Sequence, residues 1–213
     1  MHGRKDAERD LHPRQQGERD RIQMLTDGVF AIVMTVLVLE LKPPPVEIGA
    51  LGPTLRGMAP MLLVYGLTFL VLGGMWFRHR IDFTYIDRVD HPLAWLNLGL
   101  LGFVALVPWS ASLVGQHPGA HLTVLIYNVN LAAATLLQQL GWLYASGRQH
   151  LIGAVRAKLV GWSRVVGLIP VIDYLVAVMV SLVSPTVALV IDLLVPLAYI
   201  TGLLYHLLYR LSR

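Results

Sequence analysis

The chain has 213 residues, of which 55% are hydrophobic and 14% charged, with a formal net charge of +4 and no cysteine. Soluble domains carry about 25% charged residues, so this composition indicates that lipid rather than water surrounds most of the chain. The lack of cysteine excludes disulfides, iron–sulfur clusters and thiolate metal sites.

Residues 1–20 are polar and charged, and they contain no hydrophobic run of the kind found in a secretory signal. Such a segment cannot bury enough apolar surface to fold by itself. We therefore expect a flexible arm over 1–20, followed by one transmembrane domain over 21–213.

Six apolar stretches follow the arm, and each is close to the roughly 20 helical residues that cross a hydrocarbon core. They cover 22–41, 58–77, 93–114, 121–145, 164–183 and 187–209. Backbone amides in lipid must be satisfied within the segment, so these stretches are predicted to be helices. The expected fold is an all-α integral membrane protein with six transmembrane helices. Pro170 and Pro196 can break the fifth and sixth of them.

The distribution of Lys and Arg sets the orientation in the membrane. Lys42 and Arg56 lie on one side of the six-helix topology, and the remaining fifteen of the 17 basic residues lie on the other. Cytoplasmic segments carry the excess of Lys and Arg, so both termini are predicted to be cytoplasmic in a multi-pass protein of the cell membrane. The positive charge is thereby explained by topology and by contact with anionic lipids, and nucleic acid is not needed as a partner.

The first helix carries a stripe of residues that can line an ion pathway. Ile32, Thr35, Val36 and Leu39 are spaced as neighbours on one helical face. Several subunits around an axis would stack them as rings of branched apolar side chains with one ring of hydroxyls, a lining that can gate ions at a narrow constriction. Ordinary packing against lipid or another helix explains the same spacing.

Three polar side chains lie near the cytoplasmic end of the bundle: Arg21, Asp27 and His79. A carboxylate within a membrane span costs roughly 2.5–3.5 kcal/mol on insertion scales, so it usually faces a partner or water. Arg21 and Asp27 are too far apart on one helix to pair. We expect them to meet neighbouring helices, with His79 as a candidate partner; a snorkelling Arg21 at the headgroups is the alternative.

The run from Arg21 to Ile32 resembles the first-helix signature of the transmembrane protein 175 family, Arg-x-x-x-Phe-Ser-Asp followed by Gly-Val-Phe-Ala-Ile. The resemblance extends over about 22–145, through Trp76-x-x-His79-x-x-x-Phe83, Asn97, Pro108-Trp109-Ser110 and Tyr127-x-x-Asn130. The departure is Leu25-Thr26 in place of Phe-Ser, which keeps the hydroxyl and removes an aromatic ring.

The resemblance implies a potassium-selective channel without the usual Thr-Val-Gly-Tyr-Gly filter, and without a cofactor. It implies that the first helix lines the pore, with hydrophobic rings at Ile32, Val36 and Leu39 and a threonine at Thr35. The resemblance to single-repeat members of the family also implies a homotetramer, which we expect to be embedded in lipid. We further expect a network that braces the pore helix; it comprises Arg21, Thr26, Asp27, Trp76 and His79.

Other readings remain open at this stage. Asp173 and Asp192 are intramembrane acids that could relay protons in a proton-coupled secondary transporter, or simply hold helices together. A structural or lipid-interacting role would involve no flux. Amide side chains at Asn128, Asn130, Gln138 and Gln139 are expected to bond neighbouring helices. No pattern typical of a metal site or an enzyme active site is found in the sequence.

Overall fold

The computed structural model describes residues 13–42, 45, 48–148, 150–152 and 157–201. Within these ranges the regular structure is helical, apart from an isolated bridge that joins Ile86 and Ile152. The first helix, α1, spans Pro13–Val36 and continues as a 3-10 turn over Leu37–Glu40. A second 3-10 turn covers Ile48–Ala50. The helices that follow are α2 (Leu51–Gly57), α3 (Ala59–Tyr85), α4 (His91–Gln116), α5 (His121–Ser146), α6 (Ala157–Val166), α7 (Leu168–Ser181), α8 (Pro185–Ile191) and α9 (Leu194–Ile200).

Four helical stretches in the described part of the chain are long and apolar enough to cross a membrane. They are Gly17–Glu40, Ala59–Tyr85, His91–Gln116 and Val160–Ser181. These four correspond to the first, second, third and fifth predicted spans, so the prediction of an all-helical membrane protein is confirmed. The other two predicted spans, and hence the count of six, stay a prediction.

Helix α5 has 26 residues but is not among these four spans, and it carries four buried amide side chains, Asn128, Asn130, Gln138 and Gln139. Three of its amide side chains bond neighbouring helices, as predicted. Asn130 Nδ2 donates to Ser110 Oγ on α4 at 3.2 Å, Gln138 Nε2 donates to the Met75 carbonyl on α3 at 2.9 Å, and Gln139 Nε2 donates to the Arg164 carbonyl on α6 at 2.9 Å. These amides therefore bind the buried side of α5 to α4, α3 and α6.

The fifth and sixth predicted helices are each interrupted. The break between α6 and α7 falls at Gly167, and Pro170 is the third residue of α7. The break between α8 and α9 falls at 192–193, and Pro196 is the third residue of α9. Proline lacks the amide hydrogen that a continuous helix would use, and it fits the first turn, where no intrahelical partner is required. Residues 202–213, the end of the sixth predicted span, lie outside the described residues.

Helix α1 begins earlier than predicted, and helix α3 ends later. α1 begins at Pro13, so residues 13–20 of the predicted arm are helical, and residues 1–12 lie outside the described residues. α3 continues to Tyr85 rather than ending near 77. The Arg19 guanidinium donates to the Phe83 carbonyl at 2.6 Å and ties the two extensions together.

The core of the bundle lies between α1, α3, α4 and α5 and includes Phe30, Leu72, Val104 and Leu131, all of them buried. The outer faces carry large exposed apolar side chains on every long helix; on α7 they include Ile172, Val176 and Met179. Such a surface is too apolar for a monomer in water, and it suits contact with lipid chains or with further subunits.

Candidate functional site

One face of α1 packs against the other helices. Thr26, Phe30, Val33 and Leu37 recur at intervals of four, three and four residues, and all four are buried. This spacing is the stripe of a helix that packs on one side only. The orientation of α1 relative to the bundle is therefore fixed by these four residues.

The opposite face of α1 carries the stripe predicted to line an ion pathway. Ile32 and Leu39 are 63% and 66% exposed, Thr35 is exposed, and Val36 is partly buried at the edge of the packed face. Within a single subunit these apolar side chains lack packing partners over most of their surface. Their cover must come from outside the subunit, either from lipid or from other copies of the chain.

The Thr35 hydroxyl group lies close to two backbone oxygens of its own helix. Its Oγ1 is 3.0 Å from the Ala31 carbonyl and 2.8 Å from the Ile32 carbonyl, so it donates its proton back to α1. A hydroxyl that donates in this way keeps its lone pairs for an approaching donor or cation. On the exposed face of α1, Thr35 can therefore offer an oxygen to a cation.

Leu39 does not follow the α-helical spacing on which the predicted stripe depends. The α-helix ends at Val36, and Leu39 lies in the 3-10 turn. The predicted helix over 22–41 is therefore α-helical for a shorter distance than expected at this end. Pro45 is described but not helical, and Pro43 and Pro44 lie outside the described residues.

A chain of hydrogen bonds joins α1, α4 and α3 through Thr26, Asn97 and His79. The Thr26 hydroxyl donates to the Ile22 carbonyl at 2.9 Å, so it accepts from Asn97 Nδ2, also at 2.9 Å. The amide of Asn97 is thereby oriented with Oδ1 toward His79 Nε2, at 2.9 Å. His79 Nε2 must then carry the ring proton, and the neutral ring keeps Nδ1 as an acceptor.

His79 is buried and stacks on Phe83, with ring centroids 4.3 Å apart. Its Nδ1 has no hydrogen-bond partner among the described residues. A cavity of about 20 Å³ lined by His79, Asn97 and Gln138 lies beside the ring. This space is large enough for one water molecule, which could donate to Nδ1.

Asp27 bonds α3 through Trp76 rather than through His79. Trp76 Nε1 donates to Asp27 Oδ1 at 2.8 Å, while His79 lies within electrostatic range of Asp27 and bonds Asn97 instead. Trp76 also lies under the Arg80 guanidinium, 5.9 Å from the ring centroid, an exposed cation–π contact. Asp27 thus contacts a neighbouring helix, α3, as expected, but it does so through Trp76 rather than through His79.

Arg21 is exposed in the N-terminal half of α1. It lines a groove of about 420 Å³ together with Glu18, Asp90 and His91. The structure therefore does not bring Arg21 to Asp27 or to His79. The alternative, in which Arg21 reaches the lipid headgroups, stays a prediction.

Two polar features of the site were given no role from the sequence, although Asn97 was named among the residues of the family resemblance. Asn97 is the residue that connects Thr26 to His79, and its signal was a lone amide between leucines in an apolar run. Arg78 and Asp82 form a buried pair, with Nε 3.0 Å from Oδ2, and Arg78 Nη2 donates to Gln139 Oε1 at 2.9 Å. Their spacing of four residues on α3 was the signal that could have found them.

The two intramembrane acids of the predicted transporter alternative lie far from α1 in the helix order. Asp173 is on α7 and partly buried, and Asp192 is fully buried in the turn between α8 and α9. No group of three or more His, Asp or Glu side chains that could hold a metal ion occurs within the described residues.

Comparison with known proteins locates relatives over most of the chain. A family model described as the endosomal/lysosomal potassium channel TMEM175 matches residues 21–108. A potassium channel of Streptomyces collinus is 34% identical over 139 residues, which are 63% of this chain and 68% of that protein. A potassium channel of Chamaesiphon minutus is 34% identical over 145 residues, or 65% of this chain and 71% of that protein.

A solved structure shares the fold. The crystal structure of a lysosomal potassium-selective channel TMEM175 homologue from Chamaesiphon minutus superposes with a TM-score of 0.78 at 28% identity. The superposition covers 87% of this chain and 98% of that one.

Proposed function

Because the chain belongs to the TMEM175 family, we propose that it forms a potassium-selective channel for passive ion flux, with α1 lining the pathway. It is an ion-conducting protein rather than an enzyme. The observation that carries the assignment of α1 is the exposed stripe opposite the packed face. Ile32 and Leu39 each leave about two thirds of their surface uncovered within one subunit, at 63% and 66% exposed.

The pathway requires more than one subunit, and we propose a homotetramer. One helix cannot enclose a pore, whereas a closed ring of identical subunits places the same stripe of each α1 on the symmetry axis. Resemblance to single-repeat members of the family supports four copies. We further propose that each subunit has six transmembrane helices with both termini in the cytoplasm, and that the assembly lies in the cell membrane.

The rings of the proposed pore have different tasks. Ile32, Val36 and Leu39 would form apolar rings, and a narrow apolar ring excludes water and ions until it widens. Thr35 would contribute a ring of oxygens whose hydroxyl protons are already donated to α1 carbonyls, so the lone pairs face the ion. A ring of such oxygens can replace part of the hydration shell of potassium.

The polar network behind α1 would hold the rings at a fixed radius. Thr26 and Asp27 lie on the side of α1 that faces α3 and α4, and each is bonded to another helix, through Asn97 and Trp76 respectively. A pore-lining helix must not rotate or slide if its rings are to stay aligned. Two bonds one residue apart to two different helices oppose both movements.

Potassium flux from liposomes tests the proposal. Purified protein is reconstituted, and potassium and sodium efflux are compared for the wild type, Ile32→Asn and Ile172→Asn. Ile172 lies on α7 and is 57% exposed, so it controls for placing an amide on an exposed apolar face. We expect potassium-preferring flux that Ile32→Asn makes less selective, by wetting the constriction, and that Ile172→Asn leaves selective.

Two outcomes would contradict this assignment. Equal effects of the two variants would show that the Ile32 face meets lipid like that of Ile172. Saturable flux that is coupled to protons and lost in Asp173→Asn would instead support the secondary transporter.

A further inference from the structure

A second polar centre lies away from α1, in the hairpin formed by α7, the turn over 182–184, and α8. Asp173 precedes Ser181, the last residue of α7, by eight residues, or about 12 Å along a helix. Asp192 follows Ser184, the N-cap of α8, by the same number of residues. The two carboxyl groups therefore stand at similar depths on the two arms of the hairpin, well inside the apolar layer.

The polar atoms of this centre are buried without hydrogen-bond partners among the described residues. They are both carboxyl oxygens of Asp192, Oδ2 of Asp173, and both amide atoms of Asn128 on α5. Asn128 and Asp192 are fully buried, and the Asn128 amide lies near the Asp192 carboxylate, although no pair of their atoms has full hydrogen-bond geometry. A buried amide with neither its donor nor its acceptor used is rare in a folded protein.

Within the described part of the chain, no cation balances the charges at this centre. Asp173 and Asp192 interact electrostatically with each other, and neither forms an ion pair within the described residues. Two ionised carboxylates at close range repel each other, and burying them without a counter-charge is strongly unfavourable. One of them must be neutralised if α7 and α8 are to pack as they do.

Tyr127, His121 and Tyr174 are other described titratable groups on the helices next to the pair. The Tyr127 hydroxyl, one residue before Asn128 on α5, lies 3.0 Å from the Thr68 hydroxyl on α3. At the outer end, His121 Nδ1 lies 2.9 Å from the Ser181 carbonyl. Tyr174 follows Asp173 on α7 and packs in the core between these helices. None of these groups supplies a positive charge to Asp192.

One bound proton would both reduce the charge of the two carboxylates and supply hydrogen-bond partners for the buried polar atoms. It removes one negative charge, and it converts an acceptor-only carboxylate into a group that also donates. The new O–H can donate to Asn128 Oδ1 or to the second carboxylate, while Asn128 Nδ2 donates to a remaining carboxyl oxygen. The atoms that are unpartnered around Asp192 form a matched set once one proton is added.

We propose that Asp173, Asp192 and Asn128 form a proton-binding site that holds one proton and locks the α7–α8 hairpin against α5. The site is separate from the proposed ion pathway and does not depend on it. Loss of the proton places two like charges in the apolar interior and loosens the hairpin. The fold thereby gains a response to pH in helices that do not line the pathway.

Thermal unfolding of the full chain in detergent tests this site. Midpoints are recorded between about pH 5 and about pH 9, a range over which an ordinary aspartate remains ionised. We expect the midpoint of the wild type to fall by about 3 °C or more as pH rises through the loss of the shared proton. Asp192→Asn, which mimics the neutral carboxyl, should remove this dependence, whereas Asp20→Asn, at an exposed site on α1, should keep it.

A second measurement covers the case in which Asp192→Asn does not fold. The infrared carbonyl band of a protonated carboxyl group should be present in the wild type at neutral pH and absent in Asp173→Asn or Asp192→Asn. A pH profile shared by wild type and Asp192→Asn, or a carboxyl band unchanged in both variants, would overturn the proposal. It would also be overturned if added KCl at alkaline pH stabilised the wild type but not Asp192→Asn, because a metal cation would then be the occupant.

Discussion

Asn97 donates to the Thr26 hydroxyl at 2.9 Å and at the same time presents its Oδ1 to His79 Nε2 at 2.9 Å. One amide side chain on α4 thus connects the proposed pore helix to α3. Because Thr26 must donate to the Ile22 carbonyl, each bond in this chain has a fixed direction. The position of α1 in the bundle therefore depends on a residue that is not on α1.

Replacing Asn97 by Leu should destabilise the protein by about 1–3 kcal/mol, because the acceptor of Thr26 and the ring nitrogen of His79 both lose their partner in a buried site. Thermal unfolding in detergent measures the loss. Gln116→Leu is the matched control, since the Gln116 amide bonds Ser112 in an exposed position. Equal shifts in the two variants would show that the buried chain has no special weight.

Replacing Trp76 by Phe should lower stability by about 1.5–3 kcal/mol. The side chain remains aromatic, but the indole N–H that donates to the Asp27 carboxylate is lost. Trp109→Phe serves as the control, because Trp109 is exposed on α4 and makes no side-chain hydrogen bond within the described residues. Thermal unfolding compares the two. A loss in Trp109→Phe as large as that in Trp76→Phe would assign the effect to the ring.

Replacing Thr35 by Val should reduce the preference for potassium over sodium, because the side chain keeps its shape and loses the oxygen. The energy of one such contact corresponds to a change of roughly five- to tenfold in relative permeability. Reversal potentials under bi-ionic conditions measure it. Thr35→Ser should retain the preference, and so should Thr54→Val, which removes a similar hydroxyl from α2. An unchanged reversal potential in Thr35→Val would remove Thr35 from the proposed ion pathway.

Replacing Gly167 by Ala should destabilise the junction between α6 and α7 by about 1–3 kcal/mol, because a Cβ there would overlap the side chains of Gln139 and Arg78. Gly161→Ala is the control, since no atom lies within 4 Å of its Cβ position. In the interior of α6 the new methyl group should stabilise by about 0.5–1 kcal/mol. Thermal unfolding should therefore move in opposite directions for the two variants; a loss in neither would show that Arg78 and Gln139 rearrange freely.

Hydrophobic length predicted the third and fourth helices well, and it failed where polar contacts decide an end. The expected 93–114 and 121–145 correspond to His91–Gln116 and His121–Ser146. In contrast, α3 runs eight residues past the expected 77, because Arg78 pairs with Asp82 and bonds Gln139. From the sequence alone, a charged residue near the end of an apolar run predicts that the transmembrane helix ends there. That prediction changes only when the partner of the charged residue is known.

The candidate site was likewise accessible only in part. The exposed face of α1 follows from helical spacing, and Thr35 follows from the family resemblance. The sequence suggested His79 as the partner of Asp27, whereas the bond is made by Trp76, three residues earlier on α3. Distances between helices, rather than the pattern along any one helix, made that choice.

The 3-10 turn at the end of α1 changes the direction in which Leu39, the last proposed ring residue, points. A 3-10 turn advances about 20° further and about 0.5 Å more per residue than an α-helix. Over the three residues from Val36 to Leu39 this amounts to roughly 60° of rotation for about 1.5 Å of length. The side chain of Leu39 therefore points in a different direction around the helix axis from that of Ile32. In the proposed pore, the ring formed by Leu39 would be rotated relative to the ring formed by Ile32, so an ion leaving the pathway would not pass a straight column of aligned side chains.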